Sequence, residues 1–197
     1  AIGVSNSSDC PNGPLPCGTL SVRHGVQLTA PGNMDVDVAV ARFSGAVTVN
    51  GQVMGTSPSL QSRGTLTFAG PTTVPVTLPP SGAASWAVTL HRGTHRISFS
   101  NQNDCPVGPT PCQSRQLDIA RELIADGSLT FDLPVVEVSG TVTHNAQPVG
   151  PSSGGGERGE LLFREANTET VAARLGRSGA AQYRTRLFPA SYQVLFR

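Results

Sequence analysis

The chain of 197 residues contains no lysine; all 14 of its basic residues are arginine. That absence removes Schiff-base chemistry and lysine isopeptide crosslinks together. Charge of either sign is scarce, with 14% charged residues and a net charge of +1, and no basic run concentrates it. A nucleic-acid binder needs a dense cationic face, so that class of partner is not expected. No apolar run approaches the 18 residues of a membrane-spanning helix, and no signal segment is visible. Aromatic residues make up only 5%. Glycine and proline are abundant, at 22 and 16. They interrupt the chain too often for long helices.

Four cysteines are present, and their placement organises everything else. Asp9 to Cys17 reads DCPNGPLPC, and Asp104 to Cys112 reads DCPVGPTPC. Both cysteine pairs repeat at an offset of 95 residues, and the register extends far beyond them. VDVAVARFSGAVTVNGQVMG (36–55) lies over FDLPVVEVSGTVTHNAQPVG (131–150), and RGTLTF (63–68) over RGELLF (158–163). After a two-residue gain, SGAASWAVTLHRGTHRISF (81–99) lies over SGAAQYRTRLFPASYQVLF (178–196) at an offset of 97. Zinc needs four ligands, and neither loop holds a histidine or further cysteine. The spacing therefore predicts the disulfides Cys10–Cys17 and Cys105–Cys112, and with them an oxidising, exported setting.

IGVSN (2–6) sits 95 residues before ISFSN (97–101), the strand that closes the first copy. The expected organisation is a terminal strand over 1–5, a first repeat over 6–100 and a second over 101–197, read as a segment or subunit of a longer array. Within each repeat apolar residues alternate, as at Val36, Val38 and Val40 or Val74, Val76 and Leu78. Period two predicts strands with one buried face. In the first copy they are expected near 19–28, 34–41, 43–50, 64–69, 73–78, 84–90 and 94–99. The stretch 114–127 has helical as well as strand periodicity. Its counterpart TLSVRHGVQLTAPG is rich in β-branched residues, which favours strand. Seven short strands with Gly/Pro turns predict an all-β chain of two tandem immunoglobulin-like or transthyretin-like β-sandwiches. The expected core pairs are Leu28/Leu123, Val40/Val135, Val47/Val142, Leu66/Leu161, Phe68/Phe163, Leu90/Leu187 and Phe99/Phe196, with Trp86/Tyr183 adding an aromatic. Residues 150–159 are expected to form a mobile loop.

The strand pairs FSGAVTVNGQVMG and VSGTVTHNAQPVG, with the closing stretches RGTHRISF and PASYQVLF, resemble carboxypeptidase regulatory-like domains. The resemblance covers about half of each unit. It implies the same sandwich type, used as tandem stalk and accessory modules of secreted and cell-surface bacterial proteins.

Catalytic groups belonging to a common function of the unit would recur in both copies. His24, His91, His95 and His144 instead face Ile119, Phe188, Tyr192 and Val49. No metal or other cofactor is expected. Among carboxylates Asp9/Asp104 and Asp37/Asp132 recur, the first pair read as turn caps and the second as outward strand residues. GRSGA (176–180) lacks the second glycine of a nucleophile elbow. NSS (6–8) matches a glycosylation acceptor. Arg63/Arg158 is the shared cation and is read as a turn anchor to a carbonyl or to Asp37/Asp132, with ligand binding as the alternative. No catalysis is expected. The leading reading is an extracellular structural repeat, a stalk, adhesin or fibre subunit, whose partners are neighbouring repeats or identical subunits head to tail. Ala1, Ile2, Gly3, Val4 and Ser5 would then complete a neighbour's sheet edge. The alternative is an accessory module binding a glycan or a cell-surface protein.

Overall fold

The computed structural model describes residues 1–27, 29–103, 105 and 108–197. Leu28 and Asp104, expected as a core residue and a turn cap, lie outside the described residues. The strands are β1 (Ile2–Asn6), β2 (Gly18–Arg23), β3 (Val40–Val49), β4 (Gln52–Val53), β5 (Thr65–Ala69), β6 (Thr73–Thr77), β7 (Ser85–His91) and β8 (Gly93–Ser100). They continue with β9 (Ser114–Leu123), β10 (Gly127–Leu133), β11 (Val136–Thr141), β12 (Thr143–His144), β13 (Gln147–Pro148), β14 (Gly159–Glu165), β15 (Thr168–Leu175), β16 (Gln182–Leu187) and β17 (Gln193–Phe196). The described residues contain no helix.

The chain is all-β, built as β-sandwiches. In the first, one sheet contains β3 paired with β4, β7 and β10, and the other runs β6-β5-β8-β9. Alternation directs the side chains: Val74 and Val76 of β6 point inward, as do Ile97 and Phe99 of β8, while their neighbours Thr73, Pro75 and Thr77 face out. Leu66, Phe68, Val88, Leu90 and Trp86 complete this core. Trp86 tilts against Phe68 at 5.3 Å and stacks on Phe131 at 5.9 Å. In the second sandwich β11 pairs β16, and β15-β14-β17 form the facing sheet. Its core is smaller, with Leu161, Phe163, Ala172 and Leu187 buried.

The repeat boundary and the packing boundary differ. β9 and β10 belong by sequence to the second copy, yet β9 pairs antiparallel with β8 and β10 pairs parallel with β3. The first sandwich is thus closed by 20 residues of the following repeat (114–133). β1 and β2, the counterparts of β8 and β9, form an antiparallel pair of their own.

Several expectations are corrected. Residues 34–39 form no strand, and β2 stops at Arg23 rather than near 28. Phe196 is not core: it is 53% exposed, while Phe99 is fully buried. β8, which carries Phe99, is flanked by β5 and β9, whereas β17, which carries Phe196, pairs among the described residues with β14 alone. The ambiguous stretch beginning at Ser114 is the ten-residue strand β9.

Candidate functional site: the cysteine loops and the junction

Each cysteine loop is closed by its disulfide, Cys10–Cys17 and Cys105–Cys112, with Cα atoms 5.5 Å apart in both. The loop mouth is organised by an asparagine. Asn6 accepts a hydrogen bond from the Ser8 amide at 3.2 Å and donates to the Leu15 carbonyl at 2.8 Å. Asn101 accepts from the Asn103 amide at 3.2 Å and donates to Thr110 Oγ1 at 2.9 Å. Asp9, read as a turn cap, contributes its main-chain carbonyl to the Gly13 amide. The recurrence of Asn at an offset of 95 was the available signal for this cap. The Asn6 amide that would carry a glycan is engaged in the loop.

Each loop then docks on the sandwich that follows it. Thr89 of β7 donates from Oγ1 to the Gly13 carbonyl at 2.7 Å and from its amide to the Pro11 carbonyl at 3.2 Å. In the second unit Arg186 of β16 donates to the Gly108 carbonyl. The second loop also holds the unit before it. Thr110 Oγ1 donates to the Arg63 carbonyl at 3.1 Å, and Asn103 donates to Ser62 Oγ at 2.6 Å.

The junction is packed as well as hydrogen bonded. Phe188, from the loop after β16, is 1% exposed and joins the first core, edge-on to Phe99 at 6.4 Å. Such burial is worth about 2–3 kcal/mol. The Arg115 guanidinium lies 5.7 Å from the Phe188 ring centre and pairs with Glu165 at 3.8 Å. The buried Gln113 carbonyl oxygen accepts from the Phe188 amide and the Tyr192 hydroxyl, at 3.3 and 3.2 Å. Burial raises the Tyr192 pKa above its ordinary value, which keeps the hydroxyl a donor.

Arg63 is fully buried and donates to five carbonyls, those of Met54, Gly55, Pro79, Ser81 and Gly82. Arg158 repeats the arrangement with Val149, Gly150, Gly176 and Ser178. A guanidinium has five N–H donors in a fixed fork, so it gathers two loops that have no regular pairing of their own. Asp37 and Asp132 take no part in this anchor. Asp132 accepts instead from Thr48 Oγ1 and the Gly51 amide, both at 2.8 Å, capping the β3–β4 turn.

His91 and His95 are buried, and desolvation lowers both pKa values, with the neighbouring imidazole a further cause at His91. His95 meets the Gly93 carbonyl at 3.1 Å through Nδ1. Among the described residues no group of three or more His, Cys, Asp and Glu side chains is gathered for a metal. A cleft of about 760 Å³ lies between the first cysteine loop and the sandwich, bordered by Asn6, Pro11, Cys17, Val76 and Trp86. A smaller one of about 430 Å³ recurs between Cys105, Cys112 and β15. Trp86 is 5% exposed, its ring turned into the core rather than presented as a stacking platform. Ala1 to Ser5 sit on β1 or at its start, paired with β2.

No family model matches the chain, and no curated protein does. Among solved structures, a DUF3823 family protein from Parabacteroides merdae is similar at 11% identity and a TM-score of 0.34, covering 82% of this chain and 80% of that one. The Bacillus anthracis TIE protein is similar at 9% identity and a TM-score of 0.35, over 80% of this chain and 31% of that one. A leucine-rich repeat protein from Bacteroides thetaiotaomicron aligns at 14% identity and a TM-score of 0.25, over 79% and 21%.

Proposed function

We propose that the chain is a non-catalytic structural repeat module, a stalk, adhesin or fibre unit of an exported bacterial protein, in which each cysteine loop sets the angle between consecutive sandwiches. The observation that carries this reading is the second loop's double attachment, to Arg63 of one unit through Thr110 and to Arg186 of the next through Gly108. Proline stiffens the loop from within and the disulfide closes it. On the chain-entropy account an eight-residue ring contributes about 2.5 kcal/mol. The two disulfides suit an oxidising compartment. The resemblance to carboxypeptidase regulatory-like domains points the same way.

Small-angle X-ray scattering of the oxidised and the reduced, alkylated chain, together with limited proteolysis, tests this. Expected are one narrow inter-unit distance when oxidised, and a broader distribution with new cleavage within 101–113 after reduction. An unchanged inter-unit distribution, or specific binding on a glycan array, would overturn the spacer reading.

A further inference from the structure

β10 is the strand through which the two units are joined. Only Pro134 and Val135 separate its last residue, Leu133, from the start of β11 at Val136. It lies parallel to β3, in register from Gly127 opposite Phe43 to Leu133 opposite Val49. Leu129 and Phe131 pack on the first core, and Leu133 is fully buried. At Gly45 a Cβ would lie 1.7 Å from the Leu129 carbonyl oxygen, so only glycine admits the strand this closely.

Side chains pin both ends of the pair. At its start the Asp126 carboxylate accepts from the Arg42 amide at 2.8 Å. At its end Asp132 accepts from Thr48 Oγ1 and the Gly51 amide, and the Leu133 carbonyl accepts from the Asn50 amide at 3.1 Å. The Asn50 side chain then exchanges two 2.8 Å hydrogen bonds with the Val135 main chain, just where the chain passes into the second sandwich.

The direction of the strands decides how this pair responds to tension. The chain enters β3 at Val40 and leaves β10 at Leu133. Because the strands are parallel, those two points lie at opposite ends of the pair. Tension along the chain pulls β3 toward its N-terminal end and β10 toward its C-terminal end, so one is drawn lengthwise past the other. All seven register pairs carry the load together. A hairpin such as β1–β2, whose outer ends Ile2 and Arg23 lie opposite each other, opens one pair at a time instead. Among the described residues 24–39 hold no strand, so tension from the N-terminal side reaches Val40 once β1 and β2 have parted.

We propose that the β3–β10 pair is a mechanical clamp, and that the first sandwich carries tension passed to it from the second. This rests on the stalk reading and deepens it, by naming the strands that resist being pulled apart. The Cys105–Cys112 ring adds a stop: if the clamp yields, the chain between the two cysteines still cannot extend.

Single-molecule force spectroscopy on the full oxidised chain, held at Ala1 and Arg197, tests this. Forced unfolding follows the unfolding rate rather than the equilibrium stability, so substitutions can separate the two. One step on the order of 200 Å is expected from the 61 residues between Val136 and Phe196. A second, on the order of 300 Å from the 94 residues between Val40 and Leu133, is expected at higher force. Reduction lengthens only this larger step, by about 20 Å. Asp132→Ala removes two hydrogen bonds from an exposed side chain and shortens the lifetime of the larger step at constant force about tenfold or more. Val74→Ala, in the core but away from the loaded pair, shortens it less, although it lowers the denaturation midpoint followed by Trp86 fluorescence more. A larger step at or below the force of the smaller one, or lifetimes that simply follow the midpoints, would overturn the clamp. The comparison of the two steps in the unsubstituted chain decides the matter even where a variant fails to fold. Either result leaves the spacer reading standing, because that reading depends on the angle between units and its response to reduction.

Discussion

Thr89 reaches the Gly13 carbonyl across 76 residues of sequence, at 2.7 Å, and both groups are buried. Arg186 makes the corresponding contact with Gly108 in the second unit. The two side chains differ in size and charge, yet each delivers one donor to the same carbonyl of the loop. What the repeat preserves is the docking of the loop, not the residue that performs it.

Thr89→Val keeps the shape and removes the donor, leaving a buried carbonyl without its partner. The expected loss is about 1–2 kcal/mol. Denaturant unfolding measures it, and hydrogen exchange in the first cysteine loop should quicken more than exchange in β5 or β8.

Arg63→Leu strands five carbonyls, whereas Arg158→Leu strands four that are partly solvated. The first is expected to cost about 3 kcal/mol or more and the second about half as much, as buried polar groups left unpaired dominate such losses. Paired denaturation curves decide the order. Equal losses would mean that burial of the guanidinium does not matter.

His91 and His95 have pKa values lowered in the folded state, mainly by burial. The unfolded chain therefore binds more protons as pH falls through the ordinary imidazole value of about 6.5. Their contribution to stability is complete above that pH and is lost progressively below it, down to the lowered folded values. The melting temperature followed from pH 8 to 5 should fall below about 6.5. His91→Phe, the residue found at the same place in the second unit, should flatten part of the slope.

Gly45→Ala places a methyl group where the Leu129 carbonyl lies. β10 is expected to leave β3, uncovering Trp86 and Val47, at a cost of about 4 kcal/mol or more. Tryptophan fluorescence should shift to longer wavelength at neutral pH. At Gly140 the nearest atoms to an added Cβ belong to the movable Tyr183 ring, at 2.9 to 3.0 Å, so Gly140→Ala should leave the chain folded.

The sequence by itself determined the repeat, the strand character, the disulfides and most of the core. These follow from short-range rules: alternation with period two for Val74 and Val76, ring closure for Cys10 and Cys17, turn chemistry for glycine and proline. It also marked Arg63 and Arg158, because theirs is the one basic position that both copies share. Only the tertiary structure decided which strands close which sandwich. β9 and β10 cross the repeat boundary because a sheet edge is satisfied by whichever strand lies beside it in space, and no local pattern states that pairing. The same physics separates Phe99 from Phe196. Their sequence surroundings match, but β9 pairs with the strand that carries Phe99, while Phe196 lies on an edge that no described strand pairs with.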